Sequence, residues 1–139
     1  MTRPWQTASG VWPIIETVVV AALRAAVPTV DGQPVTVTTE TDLTLKDRLP
    51  LLRVHALGGG ASDGFDDDAA VDVESFALTR EQMWELAGLA HRAVLLLPQG
   101  GVVDDVTVTS TPGYIDYGTP EIRRALATYR LTTRAQTSV

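Results

Sequence analysis

The sequence contains no cysteine, which excludes disulfides and thiolate metal sites and leaves packing to hold the fold in any redox compartment. Asparagine is absent as well, and a single lysine, Lys46, stands beside ten arginines. With abundant Ala, Val, Thr and Gly, that bias points to a GC-rich coding genome and says nothing of function. Positive charge is in short supply: the net charge is −6 and the pI about 4.7, whereas a nucleic-acid reader usually carries a basic patch or stripe. Long apolar runs are lacking too. Met1-Thr2-Arg3-Pro4-Trp5 has no continuous apolar segment, and Glu16 and Arg24 interrupt the one apolar stretch near it, so the expectation is a soluble, cytosolic chain with no membrane partner.

At 139 residues the chain is long enough for one core and too short for two ordinary domains. Residues 1–12, polar with Trp5 and Trp12, read as an N-terminal arm, and residues 135–139 as an unstructured tail. Pro13 suits the first turn of a helix. Ile14, Ile15, Val18, Val19, Ala22, Leu23 and Ala26 then recur at helical spacing up to Val27, before Pro28. After the turn residues Asp31-Gly32, the segment from Pro34 to Glu40 alternates like a strand with one wet face.

The stretch from Leu49 to Leu78 reads as a long hairpin. Its outgoing strand, residues 49–57, is apolar on both faces near Leu51 and Leu52, which suits a central position. The return strand, residues 69–78, sends Val71, Val73 and Ala77 one way and Asp72 and Glu74 the other. Between them lie Gly58-Gly59-Gly60 and an acidic loop with Asp63, Asp66, Asp67 and Asp68.

Thr79 opens a second helix with a capping box to Gln82 and a Leu78–Met83 staple. The helix runs from Arg80 to about Leu97, with Met83, Leu86, Ala87, Ala90, Val94 and Leu97 as its buried stripe, and Pro98 and Gly100-Gly101 end it. A strand from about Val102 to Ser110 is broken by Thr111-Pro112-Gly113, with Tyr114 and Tyr117 in the loop beyond. The segment from Glu121 to Arg134, ambiguous in its first half, alternates from Thr128 onward as a last strand. The predicted class is α+β: one domain, order α-β-β-β-α-β-β, an antiparallel or mixed sheet of four to five strands with two helices packed on it.

No catalytic signature emerges. Counting from Asp63 puts Asp67 and Glu74 at EF-hand positions five and twelve, but Phe65 and Asp68 break the pattern at three and six. His55 and His91 lie on different elements without a partner at metal-ligand spacing. No serine sits in a nucleophile elbow, and the glycine triplet lacks the residues of a phosphate loop. The chain is therefore read as a non-enzyme without metal or other cofactor. Charge is unevenly placed, however. Six acids and no base lie between Arg53 and Arg80, while Arg123, Arg124, Arg130 and Arg134 crowd the last strand against Glu121 alone. These surfaces either pair within one subunit or meet between copies in a head-to-tail contact of the kind that closes rings.

Taken together, the layout resembles the tail terminator proteins of long-tailed, siphovirus-type phages, in the versions found in phages of actinobacteria. The resemblance spans roughly residues 12–134. It rests on the Trp12-Pro13 helix entry with Glu16, the segment Leu49-Pro50-Leu51-Leu52-Arg53-Val54-His55 leading into the glycines, and the alternation through Val71 and Val73. The central amphipathic helix and the closing Tyr129-Arg130-Leu131-x-x-Arg134 complete it. The resemblance implies a small α+β structural subunit, made in the host cytoplasm and carried at the head-proximal end of the virion tail. There it forms a hexameric ring on the last ring of the major tail tube protein, stops tube polymerisation, and offers a surface to the head–tail connector or stopper. A neighbouring connector or stopper protein of the same particle is the alternative. In such a ring Asp63, Asp66, Asp67 and Asp68 would face a lumen through which DNA passes without specific binding. Arg123, Arg124, Arg130, Arg134, Tyr114 and Tyr117 would be candidates for the subunit or partner interface.

Overall fold

A computed structural model of the protein describes residues 14–40, 45–59, 66–119 and 121–134. The expected arm, the Pro13 helix entry, Asp63 and the C-terminal tail lie outside these residues. Helix α1 (Ile15–Ala26) is followed by a small hairpin of β1 (Thr29–Val30) and β2 (Gln33–Pro34), then by β3 (Thr36–Thr38) and a 3-10 turn at Leu45–Arg48. Strands β4 (Leu51–Gly59) and β5 (Asp66–Ala77) come next, then α2 (Arg80–Leu95), a second 3-10 turn (Leu97–Gly100), β6 (Val103–Asp116) and β7 (Arg123–Arg134). Apart from the small hairpin, this is the α-β-β-β-α-β-β order read from the sequence. The fold is α+β, with a mixed five-stranded sheet in the order β3-β4-β5-β7-β6. Of the neighbouring pairs in this sheet, only β3–β4 is parallel.

Strand alternation and helix spacing together place the core on one face of this sheet. Val71 and Val73 on β5 and Ala127, Tyr129 and Leu131 on β7 point to the same side as Leu52 and Val54 on β4. Helix α1 covers β3 and β4, while α2 covers β5, β7 and part of β6. Helix α1 buries Ile15, Val19 and Leu23 at i, i+4 and i+8, with Val20 beside them. Ile14 and Ala26, expected on that stripe, are instead exposed. On α2 the expected stripe of Met83, Leu86, Ala87, Ala90, Val94 and Leu97 is buried throughout, although the α-helix ends at Leu95 and Leu97 belongs to the 3-10 turn.

Local chemistry explains the boundaries. Asp31 and Gly32 both have positive φ, 52° and 76°, the geometry that two-residue hairpin turns favour. This turn draws Pro34 into the small hairpin. On the far side of β3, the Glu40 N–H donates to Thr38 Oγ1 at 3.1 Å, turning the backbone away from the sheet. The predicted strand from Pro34 to Glu40 is therefore only three residues long. At the start of α2, the Gln82 N–H donates to Thr79 Oγ1 at 3.1 Å, which is one half of the expected capping box. The other half is replaced: Gln82 Nε2 donates to Gln33 Oε1 at 3.1 Å, tying α2 to the small hairpin. The Leu78–Met83 staple is also corrected, because Leu78 is 52% exposed while Met83 packs with Ala77, Ala87 and Ala125.

Two further expectations change. Asp66, Asp67 and Asp68 are not in a loop but begin β5, opposite Arg134, Thr133 and Thr132 of β7. Pairing with β7 carries the strand past the point where its partnership with β4 becomes irregular. Likewise β6 runs on through Thr111-Pro112-Gly113 to Asp116, so Tyr114 lies on a strand and not in a loop. Register shifts between Val108 and Gly113 absorb the break, and an edge strand tolerates proline because its outer N–H need not join a ladder.

Replacing Leu23 or Leu52, each fully buried, by alanine should lower unfolding free energy by about 2–5 kcal/mol, and Thr79→Ala by about 1 kcal/mol through loss of the cap. Leu78→Ala should fall within about 0.5 kcal/mol of the parent, as surface changes usually do. Urea denaturation followed by circular dichroism measures all four, and a Leu78→Ala loss as large as the core losses would restore the staple.

Candidate functional site

The face of the sheet turned away from the helices is polar and ordered around Glu74. Because alternate residues share a face, β4 contributes Arg53 and His55, β5 contributes Asp68, Asp72 and Glu74, and β7 contributes Arg124, Thr128 and Arg130. Glu74 is only 5% exposed. Arg53 Nε donates to Glu74 Oε1 at 2.6 Å and Arg124 Nη1 to Oε2 at 3.3 Å, so a buried carboxylate sits between two guanidinium groups. Farther along, Thr128 Oγ1 donates to Asp72 Oδ1 at 2.7 Å, and Arg130 Nη1 lies 3.0 Å from Asp68 Oδ1.

One end of this face is closed by a small second core. Leu45, Leu51, Phe76 and Ile122 are buried there with Leu49 and Tyr117. The Tyr117 ring meets Phe76 edge-on at 5.3 Å, and Arg124 lies 5.4 Å from its centroid. The Lys46–Glu121 ion pair bridges the 3-10 turn to the start of β7. Tyr114 lies on the helix side of the sheet, under the Arg80 guanidinium at 4.4 Å. Both tyrosines proposed as interface anchors are thus half-buried by their own chain.

The basic residues divide similarly. Arg124 and Arg130 face acids of β5 within the subunit, Arg123 stands opposite Ala77 and Asp116 in the ladders, and Arg134 stands opposite Asp66. The charge complementarity of the sequence is therefore met within the subunit at Glu74 and Asp68. Glu74, the twelfth position of the calcium reading, is held by arginines in mid-strand. Among the described residues no cluster of three or more His, Asp or Glu is placed to hold a metal ion. His55 is exposed on β4. His91 Nδ1 lies 2.6 Å from the Tyr129 hydroxyl, and burial holds that phenol above the usual tyrosine range. Neither the Glu74 cluster nor the His91–Tyr129 pair was foreseen. The alternation of β5 against β7 was the available signal, and it becomes usable only once the strand pairing is known.

The helix side carries the exposed apolar groups. Trp84, Leu89 and Leu95 of α2 and Leu96 at its C-terminal cap are each about 40–45% exposed. Leu89 and Leu96, with Ala26, Arg92 and Ala93, line a shallow groove of about 260 Å³ between the helices. No helix among the described residues is long and apolar enough to cross a membrane. No protein-family model matches the chain, and a search of curated proteins returned no significant match.

Truncating Glu74 to alanine leaves two guanidinium groups facing each other on a partly covered surface. The expected cost is about 2–3 kcal/mol, below the roughly 3–5 kcal/mol of a fully buried pair because both arginines retain solvent screening. A double-mutant cycle with Arg124→Ala should return a coupling energy of about 1 kcal/mol or more. A coupling near zero would show that Glu74 acts by packing alone.

Proposed function

We propose that this protein is a structural subunit of a long-tailed phage, the tail terminator, which forms a ring at the head-proximal end of the tail tube, stops its polymerisation and joins the tail to the head. The single observation that supports the reading is the fold. A small α+β unit is what the resemblance of residues 12–134 implies. The two helices favour this reading over a stopper, a class that tends toward barrel-like sheets with less helix. The partners under the proposal are further copies of the chain, arranged as a hexamer, together with the tail tube protein and the connector.

The acidic start of β5 then takes a specific role. Asp68 faces Arg130, so the repulsive lining of the lumen falls mainly to Asp63, Asp66 and Asp67. A phosphate backbone passing such a lining is repelled and does not adhere. The variant Asp63→Lys/Asp66→Lys/Asp67→Lys should assemble into particles while slowing DNA ejection and reducing infectivity. Loss of assembly would make this segment an interface instead.

Electron microscopy of particles made without the gene tests the function itself. Overlong tails unattached to heads are the expected result. Tails of normal length beside separate heads would transfer the chain to the connector, and intact virions would overturn both readings.

A further inference from the structure

The two edges of the sheet are treated differently. At β3, Thr36 N–H donates to the Pro50 carbonyl at 3.1 Å, so by alternation the Val37 peptide groups face outward. Arg24 Nη2 covers the Val37 carbonyl at 3.0 Å. This edge is three residues long and blunted by a charge, as natural sheets commonly arrange. The other edge is β6, 14 residues long, and among the described residues no strand pairs with its outer side.

A helix wall overhangs that edge. Arg80, Trp84, Gly88, His91 and Leu95 recur at i, i+4, i+8, i+11 and i+15 and so share one stripe of α2. The stripe is placed on the β6 side by its own contacts: Arg80 stacks on Tyr114 of β6 and His91 reaches Tyr129 of the adjacent β7. Trp84 and Leu95 are 40% and 42% exposed, and a Cβ added to Gly88 between them would meet nothing within 4 Å. Below the wall, Val106 and Val108 of β6 are only partly buried against the core. An additional strand on β6 would seat its inward side chains between these valines and the Trp84–Leu95 wall, the geometry of strand addition to a sheet edge.

We propose that the occupant is residues 1–13 of a second copy of this chain. Pairing of β6 with β6 of another copy is disfavoured, because antiparallel alignment brings the exposed Asp105 at one end alongside the exposed Asp116 at the other, and like charges across a strand pair are destabilising. The occupant must instead lack acids and carry apolar anchors. Residues 1–13 contain Arg3, Trp5, Val11 and Trp12 and no Asp or Glu. Extended at about 3.3 Å per residue, they match the length of β6. Donation occurs between copies because α1, into which this segment leads, lies over β3 and β4. Four strand spacings separate β3 from β6, roughly 19 Å at about 4.8 Å each, which would consume about half of the segment in its own subunit. Each copy then donates to the next in a heterologous contact, the type that closes rings.

The absence of cysteine makes a disulfide test clean. Val11→Cys in one full-length preparation is mixed under mild oxidation with Thr107→Cys, Thr109→Cys or Thr111→Cys in another, and with Leu57→Cys, exposed on β4 three strands away from that edge, as control. The expected result is mixed disulfide at one or more β6 positions, several-fold above the control and abolished when Trp5→Ser and Trp12→Ser are added to the Val11→Cys chain. Cross-linking no greater than the control would overturn the proposal. So would a double variant, Val11→Cys/Thr109→Cys, that closes its disulfide within a single chain at high dilution. Circular dichroism of each variant, matching the parent, establishes that the fold is intact. The disulfide result and the tail phenotype are independent, so either reading can fail without the other.

Discussion

Pairing of β5 with β7 is the constraint from which the rest of the structure follows. These strands match residue for residue from Asp66↔Arg134 to Ala77↔Arg123 without a register shift, so a slip by one position would exchange the whole apolar row for the charged one. The register sets Val71 and Val73 beside Tyr129 and Ala127 under α2, and Glu74 and Phe76 beside Leu126 and Arg124 on the opposite face. It also fixes the topology. Because β5 and β6 both run antiparallel to β7, they are parallel to each other, and α2 is the crossover that joins them. Strand β6 is thereby left at the edge.

A sheet covered by helices on one face must solve the other face by different means. Here a second small core closes one end and ion pairs span the middle, with Glu74 held between Arg53 and Arg124. Isolated exposed ion pairs contribute little, but a carboxylate 5% exposed penalises any register that removes its arginines. The same pairs use up charge that the sequence seemed to offer to other molecules. Large apolar side chains of α2 and the outer backbone of the edge strand β6 remain exposed instead.

The parts of the fold legible in the sequence were those governed by local periodicity. The buried stripe of α2, the two-faced burial of Leu51 and Leu52, the opposed faces of β5 and the Asp31-Gly32 turn all follow from spacing and residue type. Misreadings arose where tertiary pairing overrode local signals. Pro112 and Gly113 announce a turn, yet β7 holds the backbone in a strand; three consecutive aspartates announce a loop, yet β7 extends β5 through them. Gln82 was read as a capping side chain because Gln33, distant in sequence, was not visible as its partner. At the level of sites, the uneven placement of acids and arginines is visible in the sequence, but which acid meets which arginine depends on the register. Trp84 and Leu95 were missed as surface features because helical spacing alone does not say how widely the core wraps around α2.

The most direct measurement of the proposed terminator role is a cryo-electron-microscopy reconstruction of the neck of phage particles produced from the genome that encodes this chain. The account predicts a ring of copies, each recognisable by its five-stranded sheet with two helices on one face, seated between the last ring of tail tube protein and the connector. Density for this fold elsewhere in the particle, or none in the neck, would contradict it.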